Sequence, residues 1–508
     1  MPDFLPIGMQ DFVYCSKPGV REYKAQIADP ACENGESEYK QRARCFFHIA
    51  KGEEMIHKYS FKDSYIVMDV NSGAIHLVNR LVYRLLDYYT YDGMRPDREA
   101  IKTLMEEFGE TELLDAMQEI DELIREGMLF TDDSQITKEM LEHRGAVIKA
   151  MCLHVAHDCN MACKYCFGDT GAFEGERSLM SSETGKKAID FLLSHSGTRR
   201  NLEIDFFGGE PLMNFGVVKE LIDYGREAEK AYSKNIRFTI TTNGLLLNDE
   251  AGDLINEKMD NVILSIDGRP SVNDKMRRTT NNQGTYDIVI KNFLRFAGKR
   301  KGTYYVRGTF TRENLDFAED IKHLVDLGFR NVSVEPVVTN AEHSYALKDE
   351  DVERILAEYD RLTDLYLQYA KEGKEFRFFH FNIDLTQGPC VFKRVSGCGA
   401  GTEYVAISPE GDIYPCHQFV GNKAFMLGNV YDKEFTNELY DQFNSAHIYN
   451  KESCKDCWAK FYCSGGCHAN AWHMNGSILE PYELGCLLEK KRIECAIGIR
   501  TQGCGSFN

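Results

Sequence analysis

An α/β fold organised around a parallel sheet is what this chain predicts, and three observations carry the prediction. Six strand-like runs recur at Ala150–Ala156, Leu202–Phe207, Ile236–Thr242, Val262–Asp267, Tyr304–Phe310 and Val332–Pro336, with helical segments between them. Strands that alternate with helices pair in parallel, as an open sheet or a barrel. The chemically suggestive motifs of this stretch fall at the C-terminal ends of the runs, where such sheets carry their functional residues. At 508 residues, 43% apolar and 27% charged, the chain has the composition of a globular protein and the length for roughly two to four domains.

Residues 1–54 are rich in Pro, Gly, Glu, Ser and Lys, hold no periodicity and read as a poorly ordered extension; Cys15, Cys32 and Cys45 within it lack metal-like spacing. Met55 opens the patterned part of the chain and is a candidate start. Over 55–135, Ser64–Val70 and Ala74–Val78 alternate as two strands joined by Asn71-Ser-Gly, a hairpin turn composition, and helical periodicity follows at Leu81–Tyr89, Glu99–Phe108 and Leu113–Gly127. Two strands and three helices in this order resemble the winged-helix-like peptide-recognition domain attached to enzymes that modify ribosomal peptides. A DNA-binding winged helix is the alternative, but the acidic third helix (Glu119, Asp121, Glu122) is a poor surface for phosphates. Residues 145–340 hold the six strands. A helical connector follows over 341–384, with an amphipathic helix at 349–372, and 385–508 form a cysteine-rich region.

A net charge of −19 argues against non-specific nucleic-acid binding. No run of 18 apolar residues is present, so no membrane span is predicted, and no secretory signal is visible at the N-terminus. Seventeen cysteines without such a signal point to metal or redox chemistry in a reducing cytoplasm rather than to disulfides.

Just after the first of the six strands, Cys159, Cys163 and Cys166 stand at C-x3-C-x2-C spacing. A closed metal site takes four protein ligands, whereas a reactive site leaves one position open. Iron–sulfur clusters are normally held by four cysteines, so three point to a [4Fe–4S] cluster with one free iron. Three buried core thiols are the plain alternative. The spacing, with Tyr165 before the last cysteine, resembles the signature of radical S-adenosylmethionine (SAM) enzymes. That resemblance implies a partial (β/α)6 TIM-like barrel, SAM bound at the free iron, and a 5′-deoxyadenosyl radical that takes hydrogen from unactivated carbon.

The same resemblance implies a SAM site at the strand ends. Gly208, Gly209, Glu210 and Pro211 match the turn that holds the SAM amino group, and Thr242 and Asn243 in Thr241–Gly244 offer polar groups. Ser265 and Arg277 match the segment that meets the SAM carboxylate; Asn273 stands where the family often has His. His154 and His157 flank the cysteine loop and read as satisfied polar residues beside the core, with tuning of the cluster as the alternative.

Toward the C-terminus, Cys398, Cys416, Cys454, Cys457, Cys463, Cys467 and Cys486 match the seven-cysteine pattern of the SPASM domain, which carries two auxiliary [4Fe–4S] clusters. By that resemblance Cys454, Cys457, Cys463 and Cys486 close one cluster, and Cys398, Cys416 and Cys467 hold three corners of the other. The eighth ligand is either Cys390 or a substrate thiolate. Zinc is the alternative for the C-x2-C pair. Cys152, Cys495 and Cys504 fit no pattern, and Cys152 reads as core. The segments His154–Cys159, Gly397–Tyr404 and Asp69–His76 are similar to the thioether-forming maturases of six-cysteine (SCIFF) peptides. The resemblance implies three clusters, SAM, a Cys-rich precursor peptide bound through its leader, and an external electron donor. A sulfatase formylglycine-forming enzyme, a carbon–carbon crosslinking maturase and a non-catalytic iron–sulfur protein are the other readings.

Overall fold

A computed structural model describes residues 56–89, 96–134, 147–383, 395–432 and 438–503, with Ile136, Leu141 and Leu385. The extension 1–54, Met55, Cys390 and Cys504 lie outside the described residues.

The N-terminal unit is built on three antiparallel strands rather than the two the sequence predicts: β1 (Ile56–Phe61), β2 (Ser64–Asp69) and β3 (Ile75–Val78), in that order across the sheet. The overlooked strand, Ile-His-Lys-Tyr-Ser-Phe, has no clean apolar alternation because it is half-buried on most of its length and covered by distant residues. Burial on both faces of β2 follows the two-residue period of a strand. Ile66 and Met68 join the main core, while Val67 packs under the helices Arg80–Leu85, Arg98–Phe108 and Glu110–Arg125 with Leu81, Leu104, Leu113 and Ile120. The hairpin turn is braced by buried Asp69, which accepts from Ser72 N (2.9 Å), Ser72 Oγ (2.7 Å) and Thr131 N (3.0 Å).

The six predicted strands are present as β4 (Ala150–His157), β6 (Asn201–Gly208), β7 (Asn235–Thr242), β8 (Asn261–Ser265), β9 (Tyr305–Phe310) and β10 (Asn331–Pro336), all parallel; a two-residue β5 (Ser178–Leu179) pairs antiparallel with β4. The helices Ser182–His195, Phe215–Tyr232, Asp249–Lys258, Tyr286–Lys299 and Phe317–Asp326 separate them. The sheet does not stop at six strands. Beyond β10 lies β11 (Arg377–Phe378), and the C-terminal region adds β12 (Tyr404–Ile407), parallel to β4, then antiparallel β13 (Asp412–Tyr414) and β14 (Gly428–Asn429). The cysteine-rich region is thereby stitched onto the edge of the parallel sheet. Between them runs the predicted amphipathic helix, at Val352–Lys371. No helix among the described residues is long and apolar enough to cross a membrane.

Strand β1 sits on the last helix, Glu483–Thr501. His57 stacks on Trp458 (centroids 3.7 Å apart, planes within 2°) and meets Glu494 Oε1 at 3.0 Å, while Tyr59 Oη donates to Glu494 O at 3.0 Å. Helix and strand touch closely because residue 498 is glycine: a Cβ there would lie 2.3 Å from the Phe61 ring. Gly498→Ala gains helix propensity, about 1 kcal/mol at most. Pushing a rigid ring aside costs about 1–3 kcal/mol, so the clash wins. The expected result is a lower denaturation midpoint and faster proteolysis between residues 56 and 134; an unchanged midpoint would mean that the ring gives way freely.

Candidate functional site

β4 is buried along its whole length and delivers the chain into the loop that carries Cys159, Cys163 and Cys166. That loop is pinned along its backbone. Ala162 N donates to Arg278 O (2.7 Å), Lys164 N to Met276 O (2.9 Å), and Tyr345 Oη donates to Lys164 O (2.8 Å). Gly209 lies so close beneath the loop that a Cβ would fall 2.2 Å from Asp158 O, and Gly208, at φ +126°, would put one 2.2 Å from Ala156 O. Only glycine permits both approaches.

Burial pushes the Cys159 thiol up to about 12 and the Cys163 thiol up to about 11. Such thiols become anionic only with a positive partner such as a bound metal. Met161 N and Asn243 Nδ2 already aim at Cys159 Sγ, at 3.4 and 3.7 Å. Among the described residues no three His, Cys, Asp or Glu side chains lie close enough to hold a single ion. Cys159 lies in the field of Cys163 and Cys166, and three thiols facing one another on one loop are the donor set of a four-iron cube with one corner open.

Around the loop the predicted SAM contacts are drawn together. Glu210 is fully buried and accepts from Asn243 N (2.7 Å), Leu212 N (3.0 Å) and Thr242 Oγ1 (2.8 Å). A carboxylate has about four lone-pair sites, so one acceptor position is left for an ammonium. Thr242 thus faces Glu210, Asn243 Nδ2 also donates to Asn160 Oδ1 (2.8 Å), and Pro211 is buried at the start of the turn that follows. Arg277 is buried, with Nη1 3.0 Å from Tyr165 Oη; that hydroxyl lies 2.8 Å from both carboxylate oxygens of Asp267. Burial pushes the Asp267 carboxyl up to about 6. Ser265 ends β8, half-buried. Asn273 braces this segment, 3.4 Å from Asp267 N and donating to Thr285 Oγ1 at 3.1 Å.

The Glu210 carboxyl is itself pushed up to about 7 by burial, against the pull of its three donors. A carboxyl raised on folding stabilises the fold fully below its ordinary 4.5, and that stability is lost as pH rises to about 7, on the order of 3 kcal/mol in all. In SAM-free protein, Glu210→Gln should therefore flatten the fall in unfolding free energy across this pH window. A slope equal to the wild type's would assign the pH dependence elsewhere.

The C-terminal thiols fall into two sets. Cys463 and Cys486 each lie in the field of Cys454 and Cys457, whereas buried Cys416 lies in that of Cys398 and Cys467, both exposed. Cys152 is core, as its sequence predicts, and Cys495 is buried in the helix Glu483–Thr501.

The two ends of the site meet across an aromatic wall. Phe167, next to Cys166, lies 5.7 Å from the ring of His417, next to Cys416; Phe207 lies 5.2 Å from the same ring. His417 Nδ1 is 3.2 Å from Tyr404 Oη, and burial lowers the imidazole to about 4, so it is neutral at pH 7. His154 departs from the sequence reading: Nδ1 meets His157 Nε2 at 3.2 Å, but its buried Nε2 finds no partner among the described residues. Asp267, Asn160 and His417 were not singled out from the sequence. Asp267 alone had a usable signal, its place inside Ser265-Ile-Asp-Gly268.

Three thiols on the loop after β4, with a second cysteine-rich unit on the sheet edge, give this α/β protein the donor set of an iron–sulfur protein. Residues 145–291 match a family model described as a 4Fe-4S single cluster domain, and residues 398–458 match SPASM, an iron-sulfur cluster-binding domain. The chain is 22% identical over 445 residues to the radical SAM cyclopropyl synthase TigE of Paramaledivibacter caminithermalis, spanning 81% of this chain and 89% of that protein. It is 24% identical over 340 residues to the cysteine-type anaerobic sulfatase-maturating enzyme of Clostridium novyi, spanning 62% and 86%. Its fold resembles that of anSMEcpe with bound AdoMet (TM-score 0.59, 20% identity, 70% of this chain and 99% of that one). It also resembles Streptococcus suis SuiB bound to precursor peptide SuiA (TM-score 0.50, 18% identity, 85% and 98%). In both matched segments, and over most of its length, the chain is similar to radical SAM/SPASM proteins, and [4Fe–4S] clusters and SAM are its cofactors.

Proposed function

We propose that this protein installs intramolecular thioether cross-links in a ribosomally made, Cys-rich precursor peptide in the cytoplasm, drawing electrons from an external donor. The observation that carries the reading is the contact of Phe167 with His417, which brings the three-thiol set Cys398, Cys416 and Cys467 up to the Cys159–Cys166 loop. Three thiols leave a cube one corner for an eighth ligand, and in this reading a substrate thiolate, rather than Cys390, takes it. When bound, SAM and the clusters supply hydrogen abstraction from an unactivated carbon and uptake of the electron left as the C–S bond closes, the thiol having given up its proton.

The protein's own residues bind and orient. Glu210 offers its remaining acceptor position to the SAM ammonium, Arg277 meets the SAM carboxylate, and Tyr165 and Asp267 hold that guanidinium in place. Phe167, Phe207 and His417 exclude water between the two thiol sets. The leader adds as a further strand on β3, the sheet edge opposite the one seated on the last helix, where Leu77 is exposed.

Coexpression with a short Cys-rich precursor, followed by tandem mass spectrometry with and without thiol alkylation, tests this. A thioether removes a pair of hydrogens per bridge and protects one cysteine from alkylation. The similarity to a cyclopropyl synthase supports a second reading, a carbon–carbon bond. That bond removes the same hydrogens but leaves every cysteine alkylable, and such a product would sink the thioether proposal.

A further inference from the structure

One charged side chain is buried between the two C-terminal thiol sets. Lys451 is 0% exposed and among the largest fully buried side chains of the fold. Its backbone carbonyl accepts from Cys454 N (2.9 Å), at the turn that presents Cys454. Its side chain crosses to the turn between Cys463 and Cys467, where Nζ donates to Gly465 O at 2.7 Å and to His468 Nδ1 at 3.3 Å. An ammonium has three N–H donors, so one remains. His468 contributes no negative charge. The acidic groups acting on the ammonium are Cys454, Cys463 and Cys486 of one set and Cys467 of the other.

A buried cation without an anion is costly by several kcal/mol, and a chain that keeps one needs compensation. Neutral thiols give none; cluster-bound thiolates of both sets do. The same Coulomb energy acts in reverse on the clusters. Each gains negative charge on reduction, and a fixed positive charge in a low-dielectric interior stabilises the reduced form.

We propose that Lys451 is the shared counter-charge of the two auxiliary sites, a positioning residue that raises the reduction potential of both clusters and so readies them to accept an electron. The inference rests on the assignment of the two thiol sets as cluster ligands.

The test is an EPR-monitored redox titration of the fully reconstituted full chain, SAM absent, for wild type, Lys451→Met, Lys451→Gln and Lys451→Arg. Cys467→Ala and Cys486→Ala identify the two auxiliary signals, and the cluster at Cys159–Cys166 is the internal control. The neutral variants should lower the reduced-to-oxidised ratio of the auxiliary clusters at least tenfold at fixed potential, about 59 mV for one electron. The control should not move, and Lys451→Arg should stay near wild type. Full iron content with unmoved auxiliary potentials, or an equal shift of the control, overturns the proposal. Iron lost from both neutral variants but kept with Arg supports it, because the charge is then needed for assembly. Iron lost from all three variants overturns it. If Cys467→Ala and Cys486→Ala keep all their iron, the ligand assignment itself fails, a result distinct from any of these.

Discussion

Changing Cys159, Cys163 and Cys166 together to Ala should remove about four irons and four sulfides from a reconstituted total of about twelve of each, leaving about eight. Cleavage of SAM under reducing conditions should fall to background in the same protein. The loop should survive the change, because its shape comes from backbone contacts to Arg278 and Met276 and from Tyr345, none of which involves a thiol. The auxiliary sets should survive too, since their thiols stand on other elements, from Cys398 before β12 to Cys486 in the helix Glu483–Thr501. Circular dichroism and the denaturation midpoint would confirm that only the cluster is gone. A wild-type protein with about four irons and stoichiometric zinc would instead put a zinc site at the C-terminus and remove the open corner on which thioether formation depends.

The parallel sheet was legible because apolar or alternating strand-like runs recur between helical segments; β4, buried at every position, is the clearest case, while β6 and β9 alternate. The glycine-rich turn after β6 was legible for a related reason, since two adjacent glycines mark a backbone that something must approach closely. What stayed hidden depends on partners far along the chain. β1 is a strand because β2 pairs with it and because a helix more than 400 residues later covers it, as the contact of His57 with Glu494 shows. The pairing of β12 with β4 joins four residues to a sheet whose edge no local pattern reveals. Lys451 is the extreme case: a lysine amid Asn, Lys, Glu and Ser reads as solvated surface, and only the turn between Cys463 and Cys467 folding over it makes it interior. Charge next to cysteines is ambiguous in sequence for the same reason. Asp267 and Arg277 are ten residues apart, and nothing in that spacing shows that Tyr165 joins them.

That junction carries the second large effect. Arg277→Met should cost about 1–3 kcal/mol of stability, from the lost hydrogen bond to Tyr165 and the lost charge that offsets buried Asp267. Asp267 would keep Tyr165 Oη and Thr309 N as donors but lose the cation that offsets its charge in a buried site. SAM binding should weaken about a hundredfold, since charge-assisted hydrogen bonds contribute about 1.5–3 kcal/mol each. The two losses have different origins, and a second substitution separates them. Asp267→Asn in the Arg277→Met background removes the stranded carboxylate while keeping an oxygen for Tyr165 to donate to. Denaturant unfolding should recover much of the lost stability in the double variant, because the two changes act on one network and are not additive. SAM affinity, measured by equilibrium dialysis, should stay low, because no cation then faces the SAM carboxylate. Recovery of affinity together with stability would show that Arg277 serves only to neutralise Asp267, and the carboxylate contact would have to move to another residue of the same strand ends.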